Sequence, residues 1–371
     1  MRIILISSIK YWGGGEAWML STARGLAVRG HRITLICQPG SRLEERARTS
    51  GLRPLVLRLR GDFDPLVVAR LYRAIRRRRI QVVCANMDKE VRLAGLAAKL
   101  AGVPLIRRRG SDMPFPNKLR FRLVNRHLVR LIVVNSRATR DTLLRGNPWL
   151  SAQKIRLIYN GIPQQAPITV GGSQQVVEEF GLHGAFPVLG VVGLLKRRKG
   201  HEILFRALPK VLAEFPRLVL LVVGEGQLRR DLEELVAHLG IAKSVVFTGF
   251  RGDVPRLMSA MDLLVLPSYN EGFGYVLVEA MSLHKPVVAS RVSSIPEVVQ
   301  DGRTGFLTPP GDVGALAEAI LKLARNPDLL HHMGMVAGRH VKQMFDLERM
   351  LNQVEELFRL VVGERELKGD L

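Results

Sequence analysis

Two carboxylates and two glycines lie close together in the stretch Pro267–Met281, and their spacing predicts a ligand site. Glu271 precedes Gly272 and Gly274, and Glu279 follows them. The glycines let backbone N–H groups approach an anion where the first turn of a helix opens. A glutamate beside an anion is repelled unless it accepts hydrogen bonds from hydroxyl groups. A ligand with both phosphate and hydroxyl groups, such as a sugar nucleotide, therefore suits the stretch. The alternative is a capped helix with two solvated glutamates.

The flanking residues predict the elements that position these groups. The apolar run Asp262–Pro267 is typical of a strand buried on both faces. Residues 276–284 contain helix formers without a breaker, and residues 285–290 return to strand composition. The predicted order is strand, loop, helix, strand, with both carboxylates on the loop-facing side.

A basic loop, Gly193–Gly200, is a second candidate for anion binding. It follows a predicted strand, opens a predicted helix at His201, and contains Arg198 and Lys199. Several cations beside a helix N-terminus suit a diphosphate.

A glycine loop, Trp12–Glu16, lies near the start of the chain between a predicted strand and a predicted helix. Gly14 and Gly15 could approach an anion at the helix N-terminus, whereas the alternative is a tight turn. The loop lacks the Gly-x-Gly-x-x-Gly pattern, so binding of a dinucleotide cofactor is weakly supported.

Length and composition indicate a folded protein of two domains. The chain has 371 residues, of which 47% are hydrophobic and 24% charged. Cys37 and Cys84 lie in predicted strands, which predicts reduced core residues of a cytosolic protein. No uninterrupted apolar run reaches the length of about 18 residues that a spanning helix needs.

The net charge of +23 is concentrated in the first half of the chain. Residues 1–180 contain 33 Lys and Arg against 11 Asp and Glu, and residues 181–371 contain 23 against 22. A nucleic-acid-binding protein would also be basic, but it would interleave aromatic residues with the arginines and carry a recognisable motif. We therefore expect the first half of the chain to bind either an anionic substrate or an anionic membrane surface.

Three basic segments are candidates for this contact. They are the end of the predicted helix, with Arg76–Arg79; the loop after the predicted strand Val103–Arg107, with Arg107, Arg108 and Arg109; and the amphipathic segment 117–130, with Lys118, Arg120, Arg122 and Arg126. Phe121 is expected to enter the membrane interface, although an ordinary surface helix is the alternative.

The stretch around Glu271 and Glu279 resembles the Glu-x7-Glu signature of family 4 type retaining glycosyltransferases, and the resemblance extends over most of the chain. It implies the α/β fold called GT-B, in which two Rossmann-like domains with parallel sheets face a central cleft. It further implies that Glu271 faces the donor sugar, that Glu279 binds the ribose hydroxyls, and that Gly14 and Gly15 approach the donor diphosphate. The backbone N–H groups of Phe273, Gly274 and Tyr275 would bind sugar or phosphate.

Some family positions differ in this sequence. Lys199 matches the family's Gly-Arg-Leu-x-x-x-Lys-Gly loop, but Leu194 occupies the arginine position, so we expect Arg198 or Arg197 to supply the missing charge. The family's catalytic histidine cannot be assigned to any position of this sequence, since Cys84-Ala-Asn86 stands where the family often has His-x-His. The pattern Asp62-Phe-Asp64 matches a metal-binding motif of another glycosyltransferase architecture, but its place before Pro65 favours helix capping.

The resemblance implies metal-free transfer of a sugar, such as one carried by UDP, from a nucleotide donor to an anionic acceptor. A glycolipid of the lipopolysaccharide kind at the inner face of the cell membrane would fit. No cofactor and no nucleic acid are expected. The acceptor domain is predicted at residues 1–165 with the helix at 347–371, the donor domain at 175–346, and the crossing at 171–175. A nucleotide-sugar epimerase of the same architecture and a basic nucleic-acid-binding protein are the rival hypotheses.

Overall fold

The computed structural model describes residues 1–163 and 170–369, and the chain folds into two compact units. The N-terminal unit comprises Met1–Gly161 and Leu347–Leu371, and the C-terminal unit comprises Ile162–Asp346. The chain therefore passes between the units after residues 161 and 346.

The N-terminal unit is a parallel sheet with helices on both faces. Its strands are β1 (Arg2–Ile6), β2 (Arg32–Cys37), β3 (Leu55–Val56), β4 (Val82–Ala85), β5 (Leu105–Arg109), β6 (Leu131–Val134) and β7 (Ile155–Leu157). Its first helices are α1 (Gly14–Val28), α2 (Arg42–Thr49), α3 (Pro65–Arg77), α4 (Asp88–Leu100), α5 (Leu119–His127) and α6 (Arg137–Gly146). The strand order is β3-β2-β1-β4-β5-β6-β7, so the order reverses between β1 and β4.

The C-terminal unit repeats this plan. Its strands are β8 (Val188–Val192), β9 (Val219–Val223), β10 (Val245–Gly249), β11 (Leu263–Leu266), β12 (Val287–Ser290) and β13 (Gly305–Thr308), in the order β10-β9-β8-β11-β12-β13. Its helices are α7 (Val170–Phe180), α8 (His201–Glu214), α9 (Arg229–His238), α10 (Val254–Ser259), α11 (Tyr275–Ser282), α12 (Ile295–Val298), α13 (Val313–Ala324) and α14 (Pro327–Met344). Here the order reverses between β8 and β11.

The last helix, α15 (Leu347–Gly369), returns to the N-terminal unit and packs on α1. A Cβ at Gly25 of α1 would lie 2.2 Å from Leu351 Cδ1, so a larger residue there would displace the Leu351 side chain. Arg29 donates to Glu355 over 2.9 Å and to Glu348 over 2.6 Å, which fixes the C-terminal end of α1.

The predicted α/β class with two parallel sheets is confirmed, and the central strands β4, β6, β11 and β12 are buried on both faces as expected for parallel sheets. Cys37 and Cys84 are buried and free. The predicted crossing at 171–175 is wrong, since these residues belong to α7 of the C-terminal unit. The predicted end of the first domain, residue 165, lies outside the described residues.

Open α/β sheets bind ligands at the carboxyl ends of their strands, where the strand order reverses. In the N-terminal unit this edge carries the loops after β1 and β4. In the C-terminal unit it carries the loops after β8 and β11. Three predicted loops therefore lie at the positions where this fold binds ligands: the glycine loop Trp12–Glu16, the basic loop Gly193–Gly200 and the loop that contains Glu271.

Candidate functional site

A buried ion pair joins the loop after β8 to the loop after β11. Lys199 Nζ contacts Glu271 Oε1, and the exposed fractions of the two side chains are 12% and 8%. Ser268 Oγ donates a 3.1 Å hydrogen bond to the same carboxylate oxygen. Both residues were predicted to bind the donor, and in the structure they are direct partners.

The backbones of these two loops touch. Gly200 has φ +65°, and a Cβ there would lie 2.0 Å from the carbonyl oxygen of Pro267, so another residue at this position would push the loops apart. The N–H of Tyr269 donates to the carbonyl of Arg198 over 2.8 Å. Arg198 Nη1 in turn reaches the carbonyl of Asn270 at 3.4 Å. Arg198 is exposed and lies beside the loop that carries Glu271.

Helix α11 begins directly after the Glu271 loop, as predicted. Gly274 is its N-cap in the left-handed conformation, with φ +79°. Phe273 is buried and forms edge contacts with the rings of Tyr275 and Phe345, at centroid distances of 5.6 and 5.5 Å. This packing fixes the turn at Phe273 and Gly274. The first N–H groups of α11, which have no partner within the helix, therefore lie at the edge of the sheet. Glu279 is half-buried on the second turn of α11.

His201, the first residue of α8, is a buried group that the sequence analysis did not single out. Neither ring nitrogen has a hydrogen-bond partner among the described residues. Burial, with a smaller contribution from the charge of Lys199, lowers the pKa of His201 to about 4. The imidazole is therefore neutral near pH 7 and adds no charge beside Lys199. Only its position after Lys199-Gly200 could have drawn attention to it in the sequence.

The N-terminal glycine loop is packed tightly at the matching edge of the other sheet. Helix α1 begins at Gly14, and Gly13 is its N-cap without a side-chain capping bond. A Cβ at Gly15 would lie 2.6 Å from Asn86 Nδ2 at the end of β4. The first turn of α1 therefore sits directly on the end of β4.

The predicted position of Arg107, Arg108 and Arg109 in an exposed loop is wrong. Strand β5 extends to Arg109, and Arg107 and Arg108 are 0% and 3% exposed. Arg107 pairs with Asp88, donates to Asn125 over 2.9 Å, and lies 4.0 Å from the centre of the Phe115 ring. These partners come from distant segments and pull the arginine run into the sheet, so Arg107 and Arg108 are too deeply buried to contact a membrane surface.

The basic segment around α5 is exposed, but its aromatic residue is not. Phe121 belongs to the core of the N-terminal unit at 7% exposure, so its predicted entry into a membrane interface is wrong. Leu119 and Leu123 are the large apolar residues that α5 exposes, at 70% and 47%. The exposed basic residues here are Lys118, Arg120, Arg122, Arg126 and Arg130.

The arginines 76–79 are also exposed, but they end α3 just before β4 and so lie at the amino edge of the sheet. The glycine loop lies at the opposite, carboxyl edge. The capping interpretation of the Asp-x-Asp pattern is confirmed, because Asp64 accepts hydrogen bonds from the N–H groups of Leu66 and Val67. Asp62 pairs instead with Arg92.

Family models match both parts of the chain. Residues 12–165 match the family described as Glycosyltransferase Family 4, and residues 186–326 match the family described as Glycosyl transferases group 1. The chain belongs to the family 4 type of the group 1 glycosyltransferases, and its fold is GT-B.

Several relatives are similar over much of their length. The chain is 27% identical to alpha-D-kanosaminyltransferase of Streptomyces kanamyceticus, over 90% of this chain and 96% of that protein. It is 29% identical to the GDP-mannose-dependent alpha-(1-6)-phosphatidylinositol monomannoside mannosyltransferase of Mycolicibacterium smegmatis, over 96% of each. The match to N-acetyl-alpha-D-glucosaminyl L-malate synthase of Bacillus anthracis, at 29% identity, covers 67% of this chain and 64% of that protein.

Solved structures share the fold. Anabaena Alr3699/HepE in complex with UDP and glucose has a TM-score of 0.87 and 24% identity, over 97% of this chain and 99% of that chain. A glycosyltransferase from Rickettsia africae has a TM-score of 0.86 and 20% identity, over 97% and 98%. Across residues 1–163 and 170–369, no helix combines the length and the apolar character needed to cross a membrane.

Proposed function

We propose that this glycosyltransferase moves a sugar from a nucleotide donor to an anionic acceptor, with retention of anomeric configuration and without a metal. The observation that carries the proposal is the buried pair of Lys199 and Glu271 at the edge where the C-terminal sheet reverses its strand order. The similar fold of HepE, whose structure holds UDP and glucose, supports a nucleotide-sugar donor.

The donor diphosphate binds beside Lys199 and Arg198 in this proposal. A diphosphate competes with Glu271 for the ammonium group of Lys199, because both are anionic acceptors of its hydrogen bonds. Glu271 then accepts hydrogen bonds from sugar hydroxyls, and Glu279 accepts them from the ribose. Arg198 takes the place of the arginine missing at Leu194.

The remaining hydrogen-bond donors to the phosphate groups are backbone N–H groups. They are the N–H groups of Phe273, Gly274 and Tyr275 in the C-terminal unit, and those of Gly14 and Gly15 in the N-terminal unit. Preorganised donors of this kind stabilise charge on a leaving group without reorganising during the reaction.

In the transfer step the bond between the anomeric carbon and the diphosphate oxygen breaks, and a bond from the anomeric carbon to the acceptor oxygen forms on the same face. The acceptor proton passes to the departing phosphate oxygen. Lys199, Arg198 and the N–H groups offset the negative charge that develops there. No side chain is assigned as general base.

The acceptor is an anionic glycolipid or saccharide, and the N-terminal unit binds peripherally to the anionic inner face of the cell membrane. The exposed cations around α5, including Lys118, Arg120, Arg122 and Arg126, support this part of the proposal. The name of the Mycolicibacterium smegmatis relative, which acts on a phosphatidylinositol mannoside, also supports a lipid acceptor.

The proposal is tested by incubating the protein with UDP-, GDP- and ADP-sugars and with vesicles that contain phosphatidylinositol glycolipids. We expect a labelled sugar in the lipid fraction, and NMR of the product should give the donor's anomeric configuration. An inverted product would contradict retention. Conversion of the donor to an epimer without any acceptor would favour the epimerase hypothesis instead.

A further inference from the structure

A buried arginine lies under the N-terminal glycine loop and connects three strand ends. Arg108 of β5 is 3% exposed, and its guanidinium lies 4.8 Å from the centre of the Trp18 ring of α1. Nη1 donates to Asn86 Oδ1 over 3.2 Å after β4, and Nη2 donates to Asn160 Oδ1 over 3.0 Å after β7. A planar guanidinium presents its donors in a rigid fork and so bridges these two fixed acceptors.

The same guanidinium packs against two backbone segments. A Cβ at Gly15 would lie 3.9 Å from Arg108 Nη1 and 2.6 Å from Asn86 Nδ2, so Arg108 and its partner Asn86 together support the first turn of α1. A Cβ at Gly110 would lie 2.9 Å from Nη1, so the loop after β5 rests on the other side. Arg108 therefore supports the first turn of α1 chiefly through Asn86.

Glu16, in the first turn of α1, is a buried carboxylate that the charge of Arg108 influences. It is 3% exposed and accepts a 3.0 Å hydrogen bond from Ser7 Oγ at the end of β1. Burial raises the pKa of Glu16, and the Ser7 hydrogen bond and the charge of Arg108 oppose that rise.

Arg107, the preceding residue, makes a natural comparison. Successive strand residues point to opposite faces of the sheet. Arg107 is as deeply buried as Arg108, but it packs against Asp88, Asn125 and Phe115 instead of the glycine loop. The two arginines therefore have similar burial and separate surroundings.

We propose that Arg108 is a positioning residue for phosphate recognition, because together with Asn86 it holds the glycine loop in one conformation at the end of β4, while Asn160 after β7 holds Arg108 itself. The inference rests on the proposed function, in which the N–H groups of Gly14 and Gly15 meet a substrate phosphate. A loop that is already ordered loses less conformational entropy on binding. The phosphate belongs either to the donor diphosphate or to the anionic acceptor.

The test compares Arg108→Met with Arg107→Met, using steady-state kinetics with the nucleotide sugar and the glycolipid vesicles varied separately. Both variants remove a buried arginine and should lose stability. We expect kcat/KM for one substrate to fall between about tenfold and a hundredfold in Arg108→Met only, mainly through KM, since small displacements of binding groups have effects of this size. A rise in the donor KM assigns the phosphate to the donor, and a rise in the acceptor KM assigns it to the acceptor.

Asn160→Ala provides a second variant if Arg108→Met does not fold, because it removes one acceptor and leaves Arg108 in place. It should raise the same KM by a smaller factor. Equal kinetics of Arg108→Met and Arg107→Met, or unchanged KM values in Asn160→Ala, would overturn the inference. A wild-type protein that turns over no nucleotide sugar would instead contradict the proposed function.

Discussion

The two units differ in where they bury charge. The N-terminal unit contains 37 Lys and Arg against 15 Asp and Glu, a net charge of +22, whereas the C-terminal unit contains 19 against 18, a net charge of +1. Among the described residues, the Asp, Glu, Lys and Arg side chains that are buried in the N-terminal unit are Glu16, Glu90, Arg92, Arg107 and Arg108. In the C-terminal unit the corresponding residue is Glu271.

The partners of these charges explain the difference. Glu90 accepts hydrogen bonds from the N–H groups of Ser8, Asn86 and Met87, and so ties the loop after β1 to the loop after β4. Arg107 is held by Asp88 and Asn125. Glu271 instead faces a lysine from a neighbouring loop at the ligand-binding edge. Burial of a charge therefore does not by itself mark a reactive site, because in the N-terminal unit buried charges hold the framework together.

Removal of the cation from the C-terminal pair should have the largest effect. Lys199→Ala is expected to lower kcat by about a hundredfold to a thousandfold, the range seen when one preorganised group at a developing negative charge is lost. Lys196→Ala removes an exposed lysine from the same loop and should change kcat little. Similar kcat values for the two variants, measured with saturating donor, would mean that the pair is structural like those of the N-terminal unit.

Glu90 provides the matching test of a framework charge. Burial raises its pKa to about 7, against the lowering effect of the three N–H donors. A carboxyl group with a raised folded-state pKa binds more protons in the folded than in the unfolded protein, so its contribution to stability is lost as pH rises. The free energy of unfolding of the wild type, relative to Glu90→Gln, should fall by about 3 kcal/mol between about pH 4.5 and pH 7.

Urea unfolding at several pH values measures this difference. If the free energies of unfolding of the wild type and of Glu90→Gln depended equally on pH, the raised pKa of Glu90 would be contradicted. A wild type that gains stability over the variant as pH rises through this window would contradict it too.

The Glu279→Gln variant tests whether the C-terminal site binds a nucleotide. Glu279→Gln loses charge-assisted hydrogen bonds to ribose hydroxyls that contribute roughly 1.5 to 3 kcal/mol. The dissociation constant of the nucleoside diphosphate should therefore rise between about tenfold and a hundredfold, as measured by calorimetric titration. Glu233→Gln, on the exposed side of α9, is the control and should bind as the wild type does. Equal affinity of both variants for the nucleoside diphosphate would mean that the ribose does not bind at Glu279 of α11.

The smallest expected effect concerns the surface charge of the N-terminal unit. Arg120→Gln and Arg122→Gln should each weaken binding to anionic vesicles by about 1 kcal/mol, or about fivefold. Arg230→Gln removes an exposed arginine of the C-terminal unit and should leave vesicle binding unchanged. Sedimentation with vesicles should also show that binding fades as salt rises, because the Debye length is only about 8 Å at physiological salt. Equal binding to neutral vesicles would contradict an electrostatic contact.

Local patterns in the sequence predicted the elements around the C-terminal candidate site better than the packing of the N-terminal unit. The order of strand, loop, helix and strand around Glu271 was confirmed, because apolar runs and glycines determine it locally. The burial of Arg108 was not predictable, since Asn86 and Asn160 are distant in the chain and bind it only after the sheet has formed. Phe121 was misjudged for a similar reason, because packing against the core decides which face of the short helix α5 is buried.

The proposed donor site is tested most directly by the unfolding temperatures of the wild type, Lys196→Ala, Lys199→Ala and Glu279→Gln with a panel of UDP-, GDP- and ADP-sugars. A donor at 100 times its dissociation constant should stabilise the wild type and Lys196→Ala by about 2.7 kcal/mol. The same concentration should stabilise Lys199→Ala and Glu279→Gln much less. If no nucleotide sugar stabilises the wild type, or if all four proteins are stabilised equally, the buried pair of Lys199 and Glu271 is not the donor site.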